Sequence, residues 1–356
     1  MISALLLTPW LAGCAGLGNG PSEGIYRVRP DGSEIGLVAD VPAIPSWSPD
    51  GNALAWSSDQ AVWVAESNGS GREKVADSPR PNIPTWRPDG NAIAFVDNER
   101  RTLSVVPLDG GQAVEVSLLP EGWQEREAPL PLRNVPAWSP DGQRLALVAW
   151  DGSGDEIYVV EGDGGGMRRL SSVRASGEPI DLENRQGATK AIADAAWPAW
   201  SPDGDRLAFT LIPEVARSTG GLYLVTPEGD LQQRQTSLVP LAPPSWSPDG
   251  RALLFIARHS GGVDLFLLFP ARKTARNLTN RNVLEPVDAA WSPNGLSVAF
   301  AADGAIYNLD VATEQARFVV DTPLVDLSPR WSADGSWIAF RSEADLFQQP
   351  SLPAIA

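Results

Sequence analysis

Apolar residues in this chain fall in short alternating runs, and one kind of run returns seven times. It reads Ala53-Leu54-Ala55-Trp56, Ala92-Ile93-Ala94-Phe95, Leu145-Ala146-Leu147-Val148, Leu207-Ala208-Phe209, Leu253-Leu254-Phe255-Ile256, Val298-Ala299-Phe300 and Trp337-Ile338-Ala339-Phe340. Runs this short with small, branched and aromatic residues predict β-strands against a packed sheet face. Each run follows a five-residue punctuation. Trp-Ser-Pro-Asp-Gly stands at 47–51, 138–142, 200–204 and 246–250, with Arg87 for Ser at 86–90, Asn294 for Asp at 291–295 and Ala333 for Pro at 331–335. Its chemistry is that of a tight turn. Ser bonds forward to the backbone, Pro sets φ for the second turn position, Asp suits the third, and Gly takes the left-handed conformation that follows. Each motif therefore predicts a β-hairpin whose first strand ends at Trp.

The Trp residues are spaced by 39, 52, 62, 46, 45 and 40 residues. A period of this size marks a stacked array. After each of the first six hairpins come two more strand-like runs, such as 61–65 with 73–76, 156–160 with 168–171, 221–225 with 232–236, and 263–268 with 276–279. One repeat is thus four strands. Little chain follows the seventh hairpin, whereas 25–28 and 35–39 form an outer pair that no hairpin precedes. The two halves complete one repeat and close a ring, which removes exposed sheet edges. The expected fold is all-β, a seven-bladed β-propeller with four-stranded antiparallel blades. Six blades is the alternative if the last motif is degenerate.

The repeated hairpin resembles that of the TolB-like β-propeller family, whose repeat is a Trp-Ser-Pro-Asp-Gly hairpin, and the resemblance spans roughly residues 24–345. It implies the fold and says little about function, since one fold hosts many functions.

The N-terminus adds a location. Residues 1–13 are uncharged and too short to span a membrane, and they resemble the apolar core of a secretion signal, without the usual initial Lys or Arg. Leu11-Ala12-Gly13-Cys14 resembles the lipobox of bacterial lipoproteins and implies lipidation of Cys14, the chain's single cysteine. The expected organisation is a signal peptide at 1–13, a lipidated Cys and tether at 14–23, the propeller at 24–347 and a tail at 348–356. The protein is expected to be exported, anchored to a membrane by lipid only, and monomeric on its own.

Composition narrows the chemistry. The net charge is −16, which disfavours nucleic acid as a partner because counterion release needs a basic surface. One Cys and one His, His259, cannot supply a transition-metal centre. There is no Gly-x-Ser-x-Gly elbow to go with a Ser–His–acid arrangement, and His259 reads as a turn residue. The acidic stretch 151–156 lacks the full calcium loop and reads as a β-turn. No phosphate-binding glycine loop occurs. No cofactor is expected.

Two connections are longer than the repeat requires. Residues 118–134 carry Glu121, Trp123, Arg126 and Arg133, and residues 172–196 carry Arg174, Asp181 and Arg185. Both link an outermost strand to the next blade, so connectivity sends them to the face opposite the Trp-turns. Loops clustered on one face of a repeat array often form its binding face. A second candidate region lies at the axis. The residues just before the first five Trp are small and neutral, whereas Arg330, with Asp288 and Asp326, brings charge to the late repeats. The sequence therefore leads to a non-catalytic envelope lipoprotein whose propeller binds a protein or peptide, with Trp123 as an aromatic anchor. The alternative is a binding protein for a carbohydrate or another small ligand, or an enzyme, acting at the axial channel through carboxylates.

Overall fold

The computed structural model describes residues 22–118, 134–150, 154–171, 193–213, 220–230, 233–279 and 284–344. They form 28 strands in seven antiparallel sheets of four. Each sheet is one blade, numbered here by the order of its Trp, and the blades form a closed seven-bladed propeller.

Closure follows the predicted exchange. In blade seven the inner strands Val325–Trp331 and Ile338–Glu343 come from the end of the propeller, and the outer strands Gly24–Val28 and Gly36–Ala39 come from its beginning. Residues Gly24 to Val28 pair in unbroken register with Ser342 to Ile338. Trp337 fixes this seam. The guanidinium of Arg27 lies 4.1 Å from its ring centroid and that of Arg29 lies 3.9 Å away, within cation–π range.

The alternating runs became the second strand of each blade, where packing is densest. Leu54, Ile93, Leu145, Leu207, Leu253, Val298 and Ile338 have no exposed surface. Their side chains fill apolar layers between neighbouring blades. Ala146, Val148, Ile157 and Val159 of blade three, for example, meet Leu207, Phe209, Tyr223 and Val225 of blade four. Burying each large side chain contributes about 2–3 kcal/mol, so the blades hold one another through these layers as well as through the ladders.

The innermost strands differ in length for a reason visible in the sequence. In blades one, two, three and five they are two residues long: Ser46–Trp47, Thr85–Trp86, Ala137–Trp138 and Ser245–Trp246. The Pro two places before Trp has no N–H to give the ladder. Blade six has Ala289 at that position, and its ladder runs without interruption from Asp288 to Trp291. Blades four and seven keep the Pro inside a longer strand by means of a bulge, with Trp197 at φ 52° and Ser328 at φ 55° just before it. Left-handed backbone at a non-glycine residue is strained, and here the neighbouring ladder holds it.

Candidate functional site

The Trp-turns ring one end of the propeller, and each is built as its residues dictate. In blade one the Gly51 N–H donates to Ser48 O at 2.9 Å, the Ser48 hydroxyl donates to Asp50 Oδ1 at 2.5 Å, and the Ala53 N–H donates to Ser48 Oγ at 2.9 Å. The Ser hydroxyl also holds the carboxyls of Asp50, Asp141, Asp203 and Asp249 below the usual range. Asp334 is held down to about 2 by the hydroxyls of Ser332 and Ser336 and by the Ser336 N–H. The glycines are needed twice over. Gly335 has φ 72°, and a Cβ on it would lie 3.3 Å from Pro293 Cγ in the preceding turn. Gly142 stands in the same relation to Pro88, and Gly250 to Pro202. Six of the seven turns thus rest on the proline of a neighbour, and Gly51 rests on Ala333, which replaces it.

The Trp side chains join the blades. Trp47 Nε1 donates to Arg330 O at 2.9 Å, Trp86 to Ser46 O at 3.0 Å, Trp200 to Ala137 O at 3.1 Å, Trp246 to Ala199 O at 3.1 Å and Trp291 to Ser245 O at 3.3 Å. In every case the acceptor is the residue before the Trp of the preceding blade. Trp138 and Trp331 have buried Nε1 groups with no partner.

At the inner strands, Arg330 Nη1 donates to Asp288 Oδ2 at 3.2 Å and to Pro329 O at 2.8 Å. This pair ties the innermost strand of blade seven to that of blade six, Pro286–Trp291. Asp326 does not join it. Its side chain has no exposed surface and accepts from the Thr322 N–H and the Thr322 hydroxyl, both at 2.7 Å, with Ser342 Oγ next in line at 2.8 Å from Thr322 Oγ1. Burial pushes its carboxyl up to about 6, against the lowering effect of those bonds. Of the three residues expected to line the channel, two form an inter-blade ion pair, and Asp326 is shut inside blade seven, away from any channel mouth.

His259 ends the second strand of blade five, Leu253–His259, and does not lie in the turn beyond it. Its Nε2 is 2.5 Å from Asp264 Oδ2, and Asp264 also accepts from Thr279 Oγ1 at 2.6 Å and Asn277 Nδ2 at 2.9 Å. Burial works to raise the Asp264 carboxyl, but the bonds from Thr279, Asn277 and His259 outweigh it and hold the group low. This cluster fastens the outer strands of the blade. Among the described residues no group of three or more His, Cys, Asp or Glu is placed to hold a metal ion.

A family model described as the Lipoprotein LpqB beta-propeller domain matches residues 30–186, 157 of the 356 in the chain. TolB from Agrobacterium tumefaciens has a similar fold, with a TM-score of 0.55 and 16% identity over 91% of this chain and 99% of that one. The chain folds as a β-propeller like that of TolB. Other solved propellers resemble it as well. Oligogalacturonate lyase from Vibrio parahaemolyticus gives a TM-score of 0.64 at 11% identity, over 90% of this chain and 97% of that one. Hydrazine synthase from Kuenenia stuttgartiensis gives 0.61 at 17% identity, over 86% and 94%. At these identities the likeness is one of fold alone. None of the curated proteins matches the sequence.

In this propeller the remaining predicted residues lie outside the described part of the chain. They are Cys14 and the loop residues Glu121, Trp123, Arg126, Arg133, Arg174, Asp181 and Arg185. Their flanks are described. Leu118 and Asn134 bracket the first stretch, and Ser171 and Ala193 the second, at the end of the blades opposite the Trp-turns. A feature the sequence reading passed over is a groove of about 400 Å³ between the turns of blades four and five, with Trp246 at its base and Arg206, Arg251 and Arg272 around it. The available signal was Arg272-Lys273, in a connection that is acidic or neutral in most other repeats.

Proposed function

We propose that this TolB-like propeller is a non-catalytic binding scaffold of the bacterial envelope. It presents the end of its blades that bears residues 118–134 and 172–196 to a protein or peptide partner, and a lipid on Cys14 holds it at a membrane. One observation carries the non-catalytic part. The inner-strand carboxylates expected at the channel are committed elsewhere, Asp288 to Arg330 and Asp326 to Thr322, and Asp194 on the innermost strand of blade four accepts from the Asp155 N–H. A paired-carboxylate mechanism needs two free acids at a set separation, and these already serve as struts. The match to a lipoprotein propeller domain and the Leu11-Ala12-Gly13-Cys14 motif support the location. A closed ring of mutually bonded blades is a rigid platform, which lowers the ordering cost of binding. The test is retention from envelope extract on the chain from Ala15 onward, beside a copy whose two long connections are cut to tight turns. A protein held by the first and lost by the second is the expected result. Retention that ignores the connections overturns the assignment of the face.

A further inference from the structure

The groove at the junction of blades four and five stands on the Trp-turn face, away from the long connections, and nothing in the reading above uses it. Its position in the repeat makes it unusual. Arg206 occupies the sixth place after its Trp. In blade three that place is held by Arg144, whose guanidinium lies 5.1 Å from the ring centroid of Trp200 in the next blade. Arg206 makes no such contact with Trp246, although both line the groove. Trp246 is itself buried, as Trp200 is, and the groove opens beside it. The far wall is the connection between the third and fourth strands of blade five, Gly262–Phe269 and Thr274–Asn277. That connection reads Phe269-Pro270-Ala271-Arg272-Lys273, whereas blades two, three and four carry Asp109-Gly110, Asp163-Gly164 and Glu228-Gly229 there.

The charge of the site opposes that of the molecule. Arg206, Arg251 and Arg272 line it against one acid, Asp203, in a chain of net charge −16. Asp203 is already occupied: its Oδ1 accepts from the Ser201 hydroxyl at 2.5 Å and from the Asp205 N–H at 3.1 Å. Arg251 Nε is 3.7 Å from Asp249 Oδ2, with its side chain largely in water. Arg206 and Arg272 have no ion-pair partner among the described residues. These two guanidiniums, one from each blade of a groove also lined by Trp246 and Phe269, offer planar, bidentate donors beside an apolar wall.

We propose that this groove binds an acidic segment of extended peptide, with carboxylate side chains on Arg206 and Arg272 and the chain lying over Trp246 and Phe269. The volume is at the small end of ligand sites, enough for two or three residues of such a segment. The site is open along the junction between the turns, which suits a chain passing through.

The experiment uses a fluorescein-labelled hexaglutamate peptide and reads anisotropy against concentration at low and at physiological salt. The −16 charge repels a polyanion, so binding reports a local cationic site and not general attraction. Wild-type protein is expected to bind, with affinity falling as salt rises. R206E/R272E is expected to lose roughly tenfold or more in affinity. R80E/R258E carries the same change of net charge at the other end of the blades and is expected to bind as wild type does. Circular dichroism shows whether each variant keeps its fold, and all four positions are exposed. If wild type does not bind at low salt, or if both charge-reversed variants lose affinity equally, the proposal is overturned. If hexaglutamate binds here while no envelope protein is retained on the long connections, the groove stands and the face proposed for those connections falls.

Discussion

Replacing Asp326 by Asn tests whether a carboxyl buried inside blade seven sets part of the protein's pH dependence. The side chain has no exposed surface, and burial raises it from an ordinary 3.8 to about 6 in the fold. A group raised on folding binds its proton more tightly in the native state. Its favourable contribution is therefore complete below pH 3.8 and is lost as pH rises through 6. The shift corresponds to about 3 kcal/mol between those limits. Asparagine can keep the local bonds. Its carbonyl accepts from the Thr322 N–H, and its amide donates to Thr322 Oγ1, whose hydroxyl then donates to Ser342 Oγ. It does not titrate. Urea unfolding followed by tryptophan fluorescence, at pH 4 and at pH 7.5, gives the stability of both proteins. The difference D326N minus wild type is expected to move in favour of the variant by about 2.5 kcal/mol over that interval, because at pH 4 the unfolded carboxyl is already partly ionised. The turn carboxylates act in the opposite direction and cancel in the difference. Asp334, held down to about 2, contributes stability that is present above 3.8 and lost as pH falls toward 2, in both proteins alike. A difference that is flat with pH would refute the reasoning. A difference that moved toward wild type with rising pH would mean that Thr322 stabilises the charged form more than burial opposes it.

Three further outcomes follow from the same geometry. Trp200→Phe removes the inter-blade bond to Ala137 O, while Trp138→Phe removes an indole N–H that has no partner, so the first is expected to cost about 1 kcal/mol more than the second in urea unfolding. Gly335→Ala places a methyl group at φ 72° and 3.3 Å from Pro293 Cγ, and is expected to lower stability by about 1–2 kcal/mol, whereas Gly36→Ala meets nothing within 4 Å and is expected to be near neutral by the same measurement. Cys14→Ser is expected to move the full chain from the membrane pellet to the soluble fraction of a cell lysate; an unchanged pellet would remove the lipid anchor from the proposal.

The fold was legible because its information is local and repeated. Any one Trp-Ser-Pro-Asp-Gly turn is weak evidence, but seven of them at one spacing, each before an alternating run, leave few architectures. The unmatched pair near residues 25 and 37 told where the ring closes. The outer strand ends fell within a residue or two of those expected, while the second strands of blades four, five and seven run three or four residues past their apolar runs and the Pro before most Trp shortens or bulges the innermost strands. The candidate site was less legible. Asp288 and Arg330 stood out by breaking the repeat, and they do meet. Asp326 stood out in the same way and is buried, because its neighbours in space are Thr322 and Ser342, and a sequence does not say which face of a bulged strand turns inward. His259 read as a turn residue because its partner, five positions on, lies across a hairpin.

By itself, then, the sequence determined the number of blades, their strand order, the closure and the chemistry of each turn, since these depend on residues within about ten positions of one another or on the period itself. The tertiary structure alone decided what the conserved-looking parts of the repeat do between blades. The Trp indoles reach carbonyls on the preceding blade, 40 to 63 residues back in the chain for the open repeats and 283 across the seam. The groove at Trp246 brings Arg206 of blade four beside Arg251 and Arg272 of blade five. Both are matters of how two separately specified blades sit against each other. That arrangement is set by packing across the ring, and no local pattern encodes it.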